Sequence, residues 1–385
     1  MNVTFARSHR WPVLVALAAG ALLSVRPVRA QTPPPTVYAV ATLAPADVAV
    51  PRVVLVEGRL HALLVELGAG TPLAGLGARI GATPEELARL LRLAEEEHLG
   101  QLGPEGSWQP LAPALDGVAF SRLEKAVAPL AEAIADSLEA DWTALAGRLA
   151  ALPLAGRIAP ERSGYGLIGA WILGTLQADL FWRAGMAPAE RAYAFRVFRV
   201  PPQGAPRGLR RYDLGGGWTL ADWGPDTTRV GLGRLLDGAD PLAAALGAPG
   251  EEGGVVRELV EAYRLWYLLE VEPDPPTRRL FDRLGLASPG DGPSVPLVST
   301  RDLEAMGAIA RDLGTSLWPL LGTHLAAIGE LAAGLGYGEE GRLGEFILWS
   351  WELAAERAVE LLARRGVLSP PSEERMQVLL IPEHR

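Results

Sequence analysis

Between residues 121 and 152 the apolar side chains Leu123, Val127, Leu130, Ile134, Leu138, Trp142, Leu145 and Leu149 recur at steps of three or four. Only a helix of 3.6 residues per turn brings such positions onto one face. A second ladder, Leu303, Met306, Ile309, Leu313, Leu317, Leu321, Leu325 and Ile328, repeats the pattern. Two helices of this length, each with one apolar stripe, must bury those stripes against other helices, so the expected fold is mainly α.

Each ladder is followed by another helical stretch. Tyr165 to Gly185 carries Trp171, Ile172, Leu176, Leu180 and Phe181 for burial, and Gln177 and Asp179 interrupt its apolar run, which makes it a core helix and not a membrane span. Gly344 to Gly366 matches it. Trp351 lies 180 residues after Trp171, and Arg364-Arg365-Gly366 follows Arg183-Ala184-Gly185 at a shift of 181. These correspondences predict a diverged internal duplication, roughly 50–190 against 250–370, with a pseudo-twofold helical core.

The middle of the chain has another character. Ala192 to Val200 alternates in polarity until Pro201-Pro202 stops it, and Gly215-Gly216-Gly217-Trp218-Thr219-Leu220 and Thr228 to Leu232 read as further short strands. The fold class is therefore mainly α with a small antiparallel β element (α+β). Helices resume at Val255 to Leu269 and Thr277 to Leu284.

Residues 53–112 hold a more specific signal. Val53 to Gly68 and Leu73 to Ile80 are short helical stretches separated by Gly70 and Pro72. Thr83-Pro84-Glu85-Glu86 then has the form of a helix start: a capping hydroxyl, proline at the first helical position, and glutamate three residues after the cap. Leu87, Leu90, Leu91 and Ala94 place one apolar face on that third helix, and Gly100 to Trp108 suits a hairpin. The order, carried by Leu76-Gly77-Ala78-Arg79-Ile80-Gly81 and Ala82 to Leu91, resembles the winged helix-turn-helix fold of MarR and ArsR regulators. That resemblance implies a third helix placed for the major groove. Here it carries Glu85, Glu86, Glu95, Glu96 and Glu97 against Arg89 and Arg92, so it departs from the family in the charge DNA binding requires.

The start of the chain reads as an export signal. Arg7, His9 and Arg10 precede an apolar stretch from Trp11 to Val25, and Val28-Arg29-Ala30 offers small residues where a signal peptidase cuts. Cleavage after Ala30 would leave Gln31; retention as an anchor is the alternative. The organisation expected is a signal peptide at 1–30, a Pro-rich linker at 31–37, a winged-helix-like module at 38–112, a helical region at 113–190, a β-rich insert at 191–235, a second helical region at 236–370 and a tail at 371–385. Localisation follows as periplasm, envelope or medium, with no membrane span after the signal segment.

The formal charge is -9, and residues 1–30 contribute four arginines and no acid, so the exported chain carries -13. Such a balance opposes nucleic acid as a partner. The chain has no cysteine, which removes disulfides, thiolate metal sites and a cysteine nucleophile. His61, His98, His324 and His384 form no pair at ligand spacing, no Gly-x-Ser-x-Gly elbow occurs, and Gly215-Gly216-Gly217 lacks the lysine and hydroxyl of a phosphate loop. Asp237, Asp240, Glu251 and Glu252 match no calcium loop. No cofactor or metal is expected, and no catalytic residue is identified.

Ten tryptophans follow residue 30. Trp142, Trp171, Trp266, Trp318 and Trp351 stand in helical register as core, whereas Trp108, Trp218 and Trp223 fall in hairpin or loop regions, where an aromatic can stack on a ligand. Trp218 and Trp223, with Tyr212, Asp213 and Arg211 beside them, are the candidate binding surface for a partner protein or small ligand. The expected function is that of an exported, non-catalytic envelope protein. The alternatives are an extracytoplasmic hydrolase using carboxylates and a membrane-anchored DNA-binding regulator.

Overall fold

A computed structural model describes residues 38–43, 57–103, 107–152, 167–183, 191–199, 208–215, 218–224, 254–284, 300–369 and 377–382, with a few single positions between them. The signal segment, the Pro-rich linker, the Thr228 to Leu232 strand and the acidic loop from Asp237 to Glu252 lie outside the described residues. Among the described residues the fold is mainly helical with small sheets, as the periodicity predicts.

Strand β1 (Tyr38–Leu43) leads to helices α1 (Gly58–Gly68), α2 (Leu76–Ile80) and α3 (Pro84–Glu96), then to the hairpin β2 (Gly100–Leu102) and β3 (Trp108–Pro110) and the short β4 (Ala114–Leu115). Helix α3 starts where the sequence places it. Thr83 accepts the Glu86 N–H at 3.2 Å, and Glu86 in turn accepts the Thr83 N–H at 3.1 Å. The long ladder divides into α4 (Gly117–Ala140) and α5 (Trp142–Ala150), broken at Asp141. A π-helical turn, Leu167–Ile172, runs into α6 (Leu173–Arg183).

Next come β5 (Ala194–Arg199), β6 (Gly208–Gly215), β7 (Trp218–Gly224), α7 (Gly254–Leu269), α8 (Pro275–Leu284), α9 (Thr300–Gly334), α10 (Glu340–Arg364) and β8 (Gln377–Pro382). Helices α4, α6, α9 and α10 pack around one apolar core. In it Trp318 and Trp351 lie 5.1 Å apart, and the Trp351 indole donates to the Leu173 carbonyl at 3.3 Å. A second core joins α1, α2 and α3 to β1 and β5.

The pairing of strands differs from the β-rich insert expected at 191–235. β5 does not pair with β6; it lies between β1, antiparallel, and β4, parallel. β6 instead pairs with β7, and β7 with β8, which falls within what the sequence presents as a tail. The reason is that β5 is buried on both faces. Ala194 and Phe198 enter the helical core and Phe195 and Val197 the other, so the strand serves as a wall between two cores and not as one face of a solvated sheet.

The two halves correspond in more than periodicity. A shift of 183 residues carries the start of α4 onto that of α9. It also carries Phe120, Leu123, Val127, Leu130, Ile134, Leu138, Leu145 and Leu149 onto Leu303, Met306, Ala310, Leu313, Leu317, Leu321, Ile328 and Ala332, every one buried. The same shift superposes β5 on β8 end to end. In the first ladder Tyr38 faces Arg199 and Leu43 faces Ala194; in the second, Trp218 faces Pro382 and Trp223 faces Gln377.

Candidate functional site

A cleft of about 890 Å³ opens between the first half and the turn joining α9 to α10. One wall is the end of α1 and the following loop, Leu67 to Leu73; the second is β3 from Ser107 to Pro110; the third is the turn itself, Ala333 to Arg342.

Local chemistry fixes these walls. α9 ends in a left-handed residue, Gly336 at φ 86°, a conformation other side chains rarely adopt, and the Tyr337 N–H closes on the Ala332 carbonyl at 2.8 Å. The buried Tyr337 hydroxyl then accepts the Ala114 N–H at 3.0 Å and donates to the Ala114 carbonyl at 3.3 Å. Gly68 meets the same point: a Cβ there would lie 2.1 Å from the Ala114 oxygen, so only glycine lets α1 end against β4. Burial pushes the Tyr337 phenol far above its usual range, and it remains neutral.

The polar groups of the cleft stand on β3 and the first turn of α10. Arg342, its side chain only 10% exposed, donates to Gln109 Oε1 at 3.4 Å and pairs with Glu339 at 3.4 Å, whose side chain is 77% exposed. Trp108 is half-buried, and its six-membered ring rests on Gly100 of the opposite strand, where a Cβ would stand 3.0 Å away.

Behind the cleft lies a row of buried ion pairs. Arg191 pairs with Glu345 and also donates to the His98 carbonyl at 3.3 Å, while Glu345 accepts the Phe195 N–H at 2.6 Å. Arg196 pairs with Glu352 at 3.2 Å, Gln177 donates to the same carboxylate at 3.4 Å, and the guanidinium sits over the rings of Phe198 and Trp349. Burial pushes both carboxyls above the ordinary range, against the pull of the arginines. Glu66 on α1 goes the other way. Burial raises it, but hydrogen bonds from Thr71 and Arg199, with the charges of Arg79 and Arg199, outweigh that and hold it low.

Among the described residues, no group of three His, Asp or Glu side chains is placed to hold a metal ion, and no helix is long and apolar enough to cross a membrane. His61 is a core histidine, its Nε2 2.8 Å from the Val54 carbonyl, and burial lowers its pKa.

The sequence-derived candidates lie elsewhere. Trp218 and Trp223 stand on β7, and Arg211, Tyr212 and Asp213 on β6 opposite Ala221, Leu220 and Thr219. The β7–β8 ladder is regular from Trp218 to Trp223, so these two positions, five apart, fall on opposite faces of the pleat. Register places position 212 on the face of 218, and positions 211 and 213 on the face of 223. Sequence reasoning named Trp108 but missed Gln109, Glu339 and Arg342, because they meet only when α10 docks against β3. Comparison with protein-family models, with curated proteins and with solved structures gives no match.

Proposed function

We propose that this chain is an exported, non-catalytic binding protein built from two diverged copies of one unit, and that its ligand or partner seats in the cleft between β3 and the α9–α10 turn. The observation that carries this reading is the cleft itself: a solvent-open space that brings together the Trp108 ring and the polar side chains of Gln109, Glu339 and Arg342. Duplicated halves that fold against each other leave such grooves at their junction, and this one is lined from both.

The N-terminal module is read as winged-helix-like in shape, but its charges oppose DNA. Arg59 is engaged by Glu86 and Arg89 by Glu57, so two of the arginines on that face are already neutralised. A carboxylate hydrolase finds no support in Glu345 and Glu352, because each is consumed by an arginine inside the core.

Export is tested by fractionating the host and taking the intact mass, which should begin at Gln31 in the envelope or medium. The cleft is tested by placing a photoactivatable amino acid at the exposed position Ser107 in living cells. Covalent adducts at Ser107, absent when the same group is placed on exposed Glu304 of α9, are the expected result. Their absence, or a full-length chain facing the cytoplasm, would sink the reading.

A further inference from the structure

A binding cleft is defined chemically by the groups on its rim, and those groups select a ligand class. Resting on the binding reading above, we propose that the cleft takes a neutral saccharide chain, with one sugar ring laid on the Trp108 indole and its hydroxyls bonded by Gln109, Arg342 and Glu339.

Trp108 has the support a stacking platform needs. Its ring rests against Gly100 across the hairpin, which fixes its orientation, and it also lines the cleft. The negative face of an indole attracts the polarised C–H groups of a pyranose. Around it stand an amide, a guanidinium and a carboxylate. Sugar hydroxyls both donate and accept, and a mixed set of planar donors and acceptors matches them. Both internal bonds of Arg342 measure 3.4 Å, the long end of hydrogen bonding, so a hydroxyl at closer range exchanges a weak contact for a better one. Arg342 and Glu339 cancel in charge, which favours a neutral ligand, and a chain of net charge -9, or -13 without residues 1–30, repels polyanions.

An extended peptide fits less well. The Leu111 N–H bonds the Leu99 carbonyl at 2.9 Å and the Gly103 N–H the Ser107 carbonyl at 2.7 Å. By alternation, the main-chain groups of Trp108 and Pro110 face the free edge of β3. Proline has no N–H, so that edge presents a single donor and a poor template for strand addition.

The test titrates the full exported chain with cellohexaose, chitohexaose, xylohexaose and maltohexaose, and with an Ala-Ser peptide of similar length, by calorimetry and tryptophan fluorescence. At least one saccharide should bind saturably, and the peptide should not. Trp108→Ala should weaken binding about tenfold or more, whereas Trp108→Phe, which keeps a ring, should stay within about threefold. Gln109→Ala, at an exposed position, should weaken it while the chain still unfolds in one cooperative transition, so the result does not hang on the fold of the tryptophan variant. No binding by any saccharide, or binding indifferent to both alanine variants, overturns the proposal. Trp108-dependent binding of the peptide instead overturns the saccharide class while leaving the cleft as a binding site; loss of the Ser107 adducts overturns both.

Discussion

The helices α1 to α3 and the pair α7–α8 cover their apolar faces in different ways. In the first, α1 is covered along its length: His61 to Leu67 are all buried, and α2 with its flanking loop, residues 69–83, lies between α1 and α3. In the second, only residues 270–274 separate α7 from α8, and Glu270 takes φ 58° to make the turn. No helix stands between α7 and α8. The end of α7 is correspondingly bare, with Leu265, Leu268, Leu269 and Val271 exposed, and the α7–α8 pair is held by Tyr263, Trp266, Tyr267 and Phe281 clustered on one another. The α7–α8 pair thus buries its apolar side chains through a compact aromatic cluster. The N-terminal helices instead bury α1 under α2 and α3, beside the hairpin whose β3 lines the cleft.

The largest expected effect concerns the tie between β5 and α10. Glu345→Ala leaves Arg191 charged and buried and should cost about 3–5 kcal/mol in denaturant unfolding; a loss below about 1 kcal/mol would mean that the first half is not pinned through this pair. The comparison of helix ends is sharper still with a matched pair of truncations. Leu67, 5% exposed, should lose about 2–5 kcal/mol on substitution by alanine. Leu268, 51% exposed, should change stability by no more than about 0.5 kcal/mol, and equal losses in calorimetry would erase the contrast.

The smallest effect is a pH dependence confined to the first half. Glu66 is held below the ordinary carboxylate range in the folded state, so its contribution is complete above the unfolded-state pKa and is lost as pH falls through the folded one. The stability gap between the parent and Glu66→Gln should therefore be widest near neutrality and close in acid. A gap that widens on acidification would reverse the assigned sign.

The helices were legible because burial there is one-sided. The ladder from Leu123 to Leu149 and the cap at Thr83 are local signals, and the long helices and α3 follow them to within a few residues. The strand β5 was legible too, but its partners were not, for the opposite reason. Its alternation of Phe, Arg and Val resembles a half-solvated strand, and only the carboxylates of α10 and α1 let Arg196 and Arg199 turn inward or sideways. An internal correspondence was visible at Trp171 and Trp351, yet the cleaner register, 183 residues, is set by buried positions of which only Leu130 and Leu138 keep the same side chain at Leu313 and Leu321. Pro113-Ala114-Leu115 and Pro296-Leu297-Val298 obey the same shift. The cleft was the least legible, since Trp108 and Arg342 are 234 positions apart and no local pattern couples them.

Because β5 contributes alternate side chains to both cores and ties Arg196 to Glu352 of α10 and Arg199 to Glu66 of α1, it holds the described elements of the first half to the helices. Denaturation should then be a single cooperative event for these elements. A ligand gripped at β3 would delay the melting of the distant Trp318–Trp351 contact as much as that of the hairpin itself, so occupancy of the cleft could be followed by a probe placed deep in the helical core.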